Sequence, residues 1–142
     1  MSRSLHDLSP RFRPLAVEFL AQLTEAKIPV LITGTGRTAA EQQTYLRTGA
    51  STVTHSRHQD GDAIDVVPWE VYTLQPGGDK LSWDMQSPAA VRVWTAMGAI
   101  GEALGLRWGG RFAPLNAAGL GWDPGHFEYR PPMAQPSAGA RL

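Results

Sequence analysis

Two short segments rich in β-branched residues, set among helical patterns, place the tightest limit on the fold of this chain. Residues 28–33 and 63–67 each carry an apolar run that ends at Gly34 or Pro68, which is typical of a short buried strand. Residues 125–129 predict a last strand. Because strands and helices do not follow a repeating βαβ order, the sequence predicts an α+β fold with a small, mainly antiparallel sheet and flanking helices.

Three helices are predicted around these strands. The first spans residues 14–27 and has proline in its first turn, where a missing backbone N–H is tolerated. The second spans residues 38–46 and the third residues 88–104, after the capping residue Ser87. Residues 75–84 contain a Pro-Gly-Gly sequence and are predicted to form a loop.

Length and composition limit both the number of domains and the kind of metal ligand. The 142 residues predict one domain over residues 1–130, followed by a Pro/Ala/Gly-rich tail, residues 131–142, that is predicted to be disordered. The 13 Lys and Arg balance the 13 Asp and Glu, which argues against a nucleic-acid binder because such proteins carry a basic excess. Since the chain has no cysteine, a metal site must use histidine and carboxylate.

Two clusters of histidine and carboxylate carry the candidate chemistry. His58 and Asp65 are separated by six residues that include a glycine turn, so the imidazole can fold back toward the carboxylate. Asp123 precedes His126 by three residues across a Pro-Gly turn. Two histidines and one carboxylate are three protein ligands, which leave zinc a fourth position for water, and a further carboxylate beside that water can move its proton.

These clusters resemble the motifs of the LAS, or M15-type, zinc metallopeptidases. The S-x-H-x-x-G-x-A-x-D motif of that family is matched by Ser56, His58, Gly61, Ala63 and Asp65. Its closing acid-x-x-His element is matched by Asp123 and His126. Residues 108–110 are similar to the W-G-G element of the L-alanyl-D-glutamate peptidase branch, and residues 37–42 to its R-S-x-x-E-Q segment. Four motifs in the family's order, over about residues 10–130, make the match specific.

The resemblance implies the Hedgehog/DD-peptidase-like fold and a role for each matched residue. The expected zinc ligands are His58, Asp65 and His126. Asp123 is the expected general base, and Arg37 is expected to stabilise the oxyanion of the tetrahedral intermediate. Ser56 and Trp108 are the expected substrate-binding residues, and orientation of His58 is the alternative role of Ser56.

Several of these residues also have a plainer interpretation. Asp123 suits an Asx turn before the following proline, and Arg37 suits a solvated helix start. Trp122 competes with Trp108 for a place along the substrate groove, and both tryptophans also suit the core or the cleft wall. His55 is a nearby alternative ligand whose spacing fits the motif less well.

The predicted function is that of a monomeric zinc endopeptidase that cleaves peptidoglycan stem peptides between L-alanine and D-glutamate, as a phage endolysin that lyses the host. The sequence shows neither a signal peptide nor an apolar run of about 20 residues, so synthesis in the host cytoplasm and holin-mediated release to the wall or periplasm are expected. The alternatives are a D-alanyl-D-alanine carboxypeptidase or dipeptidase on the same fold, a virion-attached wall enzyme, and a non-catalytic zinc-containing wall-binding domain. Asp123 and Arg37 argue against the binding domain, which has no need of a base.

Overall fold

The computed structural model describes residues 1–69 and 81–131. In these residues the main elements are, in chain order, α1 Arg13–Glu25, β1 Val30–Gly34, α2 Ala39–Thr48, β2 Ala63–Pro68, α3 Pro88–Ala103, β3 Arg107–Trp108 and β4 His126–Glu128. Short 3-10 turns lie at Leu5–Asp7, Arg57–Asp60 and Gly109–Arg111. Helices and strands are mixed without a βαβ repeat, which confirms the predicted α+β class. Nearly all of the predicted tail, and most of the predicted loop at 75–84, lie outside the described residues.

The four strands form one antiparallel sheet in the order β1-β2-β4-β3. The central strand β2 pairs with β4 so that Asp65 lies opposite His126. Directly opposed residues on neighbouring strands have side chains about 5 Å apart, so the register alone brings two of the predicted ligands together. On the other edge of β2, a register shift in β1 places Gly34 opposite Asp65.

The core lies between the sheet and helices α1 and α3. Phe19 of α1 and Phe127 of β4 are fully buried, with ring centroids 4.4 Å apart. Gly101 of α3 permits this packing, because a Cβ at that position would lie 2.6 Å from the Phe127 ring. Each buried phenylalanine stabilises the fold by roughly 1.5–3 kcal/mol, and together they hold β4, and with it His126, against the helices.

Local signals set the helix ends close to their predicted places. Thr38 and Glu41 form a capping box at the start of α2, and the Ser87 hydroxyl accepts the N–H of Ala90 at the start of α3. Gly49 adopts a left-handed conformation at the end of α2, with φ 80°. No helix in the described part of the chain is long and apolar enough to cross a membrane.

Candidate metal centre

His58 is held by the 3-10 turn that precedes β2. Ser56 begins this turn, and its hydroxyl accepts the N–H of His58 at 3.2 Å. Gly61 ends the turn with φ 71°, a conformation that strains other residues. Nδ1 of His58 lies 2.6 Å from the carbonyl oxygen of Thr35. Because a carbonyl only accepts, Nδ1 donates to it, and Nε2 is the nitrogen that can bind a metal. Of the two roles expected of Ser56, this geometry supports orientation of His58.

His126 is held by two carboxylates, one on each side of its ring. Its Nδ1 lies 3.1 Å from Oδ1 of Asp65, and its Nε2 lies 2.9 Å from Oε1 of Glu128. Glu128 is two residues farther along β4, so its side chain points to the same face of the sheet as that of His126. The second oxygen of Glu128 contacts Arg57 and Arg107. With Nε2–H donated to Glu128, Nδ1 is the nitrogen that can bind a metal.

The side chains of His58, Asp65 and His126 converge on one point. Nε2 of His58 lies 3.1 Å from Oδ2 of Asp65, and one ligand atom from each residue lies within 4.8 Å of the other two. Ligands of a tetrahedral zinc ion are separated by about 3.4 Å, so both the donor set and the spacing fit zinc. The structure does not bring His55 to this point, since its Nε2 pairs with Asp60 at 2.8 Å.

The candidate ligands Asp65 and His126 shift each other's pKa values. Burial opposes ionisation of Asp65, but hydrogen bonds from His126 and His58 outweigh it and hold the Asp65 pKa well below its usual range. Burial also disfavours the charged form of His126, yet the hydrogen bonds to Asp65 and Glu128 raise its pKa to about 10. A metal must displace the proton from this ring in order to bind it.

Asp123 lies beside the centre without joining the three converging ligand atoms. Its Oδ2 is 3.9 Å from Nδ1 of His126. Burial raises the pKa of Asp123; the charge of His126 opposes this shift, and that of Asp65 adds to it. The turn from Asp123 to His126 is closed by the main chain, because the N–H of His126 donates to the Asp123 carbonyl at 3.1 Å. A half-buried carboxylate with a raised pKa beside the metal ligands suits a proton-transferring group.

Arg37 lies at another edge of the same cleft. Its backbone N–H donates to the His58 carbonyl at 3.0 Å, which ties the loop after β1 to the turn that holds His58. Its guanidinium donates to Gln42 at 2.7 Å and stacks on the Tyr45 ring at 4.5 Å. Its Nε is buried and has no hydrogen-bond partner in the described part of the chain. A buried donor without a partner destabilises the fold, and such groups occur at catalytic sites.

Of the two candidate tryptophans, Trp122 lines the cleft and Trp108 does not. Trp108 is 3% exposed, and its indole N–H donates to the Pro124 carbonyl at 2.8 Å. Gly98 and Gly110 lie against its ring so closely that a Cβ at either would be within 2.5 Å. The structure therefore places Trp108 beneath the turn that carries His126, and not at the substrate-binding position expected for it. Trp122, 57% exposed, lines the cleft instead.

The cleft around the centre has a volume of about 1190 Å³. Its walls include three groups that the sequence motifs did not indicate as site residues, namely Arg57, Arg107 and Glu128. Glu128 had a detectable signal, because a carboxylate two residues after His126 on a predicted strand lies on the same face. The Thr35 carbonyl had none, since main-chain atoms carry no residue identity.

Comparisons with known proteins point to peptidases. A family model described as D-alanyl-D-alanine carboxypeptidase matches residues 49–129. The crystal structure of the Serratia marcescens L-Ala D-Glu endopeptidase ChiX is similar, with a TM-score of 0.60 and 27% sequence identity over 91% of this chain and 87% of that chain. The structure of VanYB in complex with D-Alanine-D-Alanine has a TM-score of 0.54 at 14% identity, over 86% of this chain and 71% of that chain, and shares the fold. No curated protein sequence matches the chain.

Proposed function

Since the chain belongs to the M15-type peptidases, whose family model it matches over more than half of its length, we propose that it is a zinc-dependent endopeptidase that cleaves the L-Ala–D-Glu bond of peptidoglycan stem peptides. The observation that carries this proposal is the convergence of His58, Asp65 and His126 in a cleft, with Asp123 beside them. The choice of bond is supported by the likeness to ChiX and by the W-G-G element of the sequence.

In this proposal zinc would be held by Nε2 of His58, Nδ1 of His126 and the carboxylate of Asp65. When bound there, it would supply Lewis-acid chemistry, which polarises a carbonyl and lowers the pKa of water toward neutrality. Asp123 accepts a proton from the attacking water and returns it to the leaving amine, a task that a raised carboxyl pKa assists. Arg37 donates N–H groups to the carbonyl oxygen as negative charge develops there, since a guanidinium stays charged at any working pH.

A D-alanyl-D-alanine carboxypeptidase is the second candidate, and the description of the matching family model favours it. It would use the same centre and differ in the bond presented to it. We favour the endopeptidase because ChiX is 27% identical to this chain, whereas VanYB is 14% identical and informs on the fold alone.

Digestion of purified sacculi, with and without a zinc chelator, tests the proposal. The expected result is chelator-sensitive release of peptides whose N-terminal residue is glutamate, identified by mass spectrometry. Release of terminal D-alanine would transfer the chain to the second candidate. Protein that contains zinc but cleaves no type of wall would contradict both activities.

The biological setting is also part of the proposal and rests on the sequence resemblance. As a monomeric phage endolysin, the protein would reach the wall through a holin. Expression of the protein together with a holin in a Gram-negative host should therefore cause lysis. The variant His126→Ala, expressed in the same way, should not cause lysis. Lysis that persists in this variant would contradict an enzymatic cause.

A further inference from the structure

We propose that Arg57 and Arg107 form a carboxylate-binding site in the cleft, which takes the free carboxylate of the glutamate residue beside the scissile bond. This inference rests on the proposed function, because that glutamate belongs to the proposed substrate. Glutamate has two carboxyl groups, and only one of them continues the peptide. An L-Ala–D-Glu substrate therefore carries a free carboxylate close to the bond that is cut.

The two guanidinium groups lie one side chain away from the metal centre. Nε of Arg57 is 3.4 Å, and Nη1 of Arg107 is 3.5 Å, from the same oxygen of Glu128. The other oxygen of Glu128 contacts His126 at 2.9 Å. A group bound by these arginines would therefore lie beside the ring of a candidate metal ligand, where the residue next to a scissile bond must be.

Two guanidinium groups share a single buried carboxylate at this place. Arg57 and Arg107 share the carboxylate of Glu128, which is 5% exposed and also accepts from His126. Arg57 has a second, longer contact of 4.0 Å with Asp60. The Arg57 and Arg107 side chains are 39% and 60% exposed and both line the cleft. Because each guanidinium has five N–H donors, both can serve Glu128 and still donate to a second carboxylate.

An aromatic ring fixes the position of Arg107. Its guanidinium carbon lies 4.6 Å from the centroid of the Phe112 ring, and the same ring is 5.8 Å from that of His126. Stacking on an aromatic face restricts the long arginine side chain without using its in-plane donors. Arg107 therefore presents a preoriented planar fork, the geometry that binds carboxylates with two hydrogen bonds.

Arg111 is a matched control within the same cleft. It also lies over an aromatic ring, with its guanidinium carbon 5.4 Å from the centroid of Trp108. Its Nε and Nη2, however, donate to the Glu102 carboxylate at 2.9 to 3.3 Å, so its charge is already paired. If free positive charge recognises the substrate, replacement of Arg111 should matter much less than replacement of Arg107.

Two synthetic stem peptides test the proposal, one with D-glutamate and one with its free carboxyl converted to an amide. The wild-type protein should cleave the acid with the higher kcat/KM. Arg107→Gln should reduce the ratio of the two kcat/KM values by roughly 10- to 100-fold, as expected for the loss of a charge-assisted pair. Arg57→Gln should reduce it in the same direction, and Arg111→Gln should leave it unchanged.

An unchanged ratio in Arg107→Gln and Arg57→Gln, with wild-type zinc content, would overturn the carboxylate site. So would a ratio that falls equally in Arg111→Gln. Failure of the wild-type protein to cut either peptide would instead refute the proposed L-Ala–D-Glu activity. If the wild type removes terminal D-alanine and this reaction depends on Arg107, the assignment to glutamate is wrong and the bound carboxylate is the chain terminus.

Discussion

His58 and His126 lie on either side of Asp65, but different kinds of group hold the outer nitrogen of each ring. A main-chain carbonyl, that of Thr35, accepts from His58 at 2.6 Å, whereas the carboxylate of Glu128 contacts His126 at 2.9 Å. A carbonyl fixes the tautomer without adding a full charge. A carboxylate fixes it and also adds a full negative charge, which raises the basicity of the ring and strengthens it as a metal ligand.

This difference shows at which of the two histidines metal affinity can be changed by substitution of the outer partner. The carbonyl at position 35 is present whatever side chain stands there. Glu128 is a side chain. Burial opposes its ionisation, but the hydrogen bond and charge of His126, with Arg107 and Arg57, outweigh burial and lower its pKa. We therefore expect substitution of Glu128, the partner of His126, to change metal affinity. Substitution of the Thr35 side chain should leave metal affinity nearly constant.

Removal of either histidine ring should have the largest effect on zinc binding and on hydrolysis. His126→Ala takes away one of three proposed ligands, so we expect loss of bound zinc and of detectable hydrolysis, and His58→Ala should do the same. Zinc content by atomic emission, together with peptide release, measures both effects, and circular dichroism checks that the variants fold. Stoichiometric zinc in either variant would show that its histidine is not a ligand.

Glu128→Gln should weaken zinc binding at His126 and leave the support of His58 unchanged. It keeps the size of the side chain but removes its charge, and we expect zinc affinity to fall about 10- to 100-fold, the usual effect of losing an outer partner of a histidine ligand. Competition with a chromophoric chelator measures this affinity. Glu102→Gln, at an exposed carboxylate paired with Arg111, is the control and should bind zinc like the wild type. Equal affinity in all three proteins would contradict the proposed role of Glu128.

The protonated state of His126 predicts a pH dependence that zinc should remove. Folding raises its pKa from the ordinary 6.5 to about 10, so between these values the folded chain binds more protons than the unfolded chain. In chelator-treated protein this contribution is complete below pH 6.5 and is lost as pH rises toward 10. The slope should be at most about 1.4 kcal/mol per pH unit. Urea unfolding from pH 7 to 9 measures it, and a flat profile for the chelated protein would contradict the assignment.

Thr35→Val should have the smallest effect on zinc affinity, because the partner of His58 is the main-chain carbonyl and not the side chain. The Thr35 hydroxyl oxygen is buried and has no hydrogen-bond partner in the described segments, so its removal leaves the carbonyl that serves His58 in place. We expect unchanged zinc affinity and a change in unfolding free energy of about 1 kcal/mol or less. A marked loss of zinc affinity would show that the side chain, and not the carbonyl, holds the ring.

The parts of this fold with local causes were predictable from the sequence. Helix α2 begins after its capping box at Thr38, and α3 begins after Ser87, because capping depends on residues within one turn. Asp65 and His126 were predicted to meet from motif order, and the β2–β4 register places them opposite each other. The two-residue strand Arg107–Trp108 was not predicted, since so short a segment has no periodicity.

The parts with long-range causes were not predictable. Trp108 is buried because Gly98, on a helix ten residues earlier, makes room for its ring. Nothing adjacent to the tryptophan in sequence distinguishes that environment from a substrate groove. The meeting of Arg57 and Arg107 at Glu128 likewise depends on the sheet register, which pairs Arg107 with Glu128.

If His58, Asp65 and His126 bind zinc while Asp123 transfers the proton, Asp123→Asn should separate metal binding from catalysis. Zinc content and stem-peptide hydrolysis would be measured on the same preparation of this variant. We expect one zinc per chain and a loss of about 10²- to 10⁴-fold in kcat, the usual contribution of a general base. Loss of the zinc, or hydrolysis at the wild-type rate with the zinc retained, would contradict these roles.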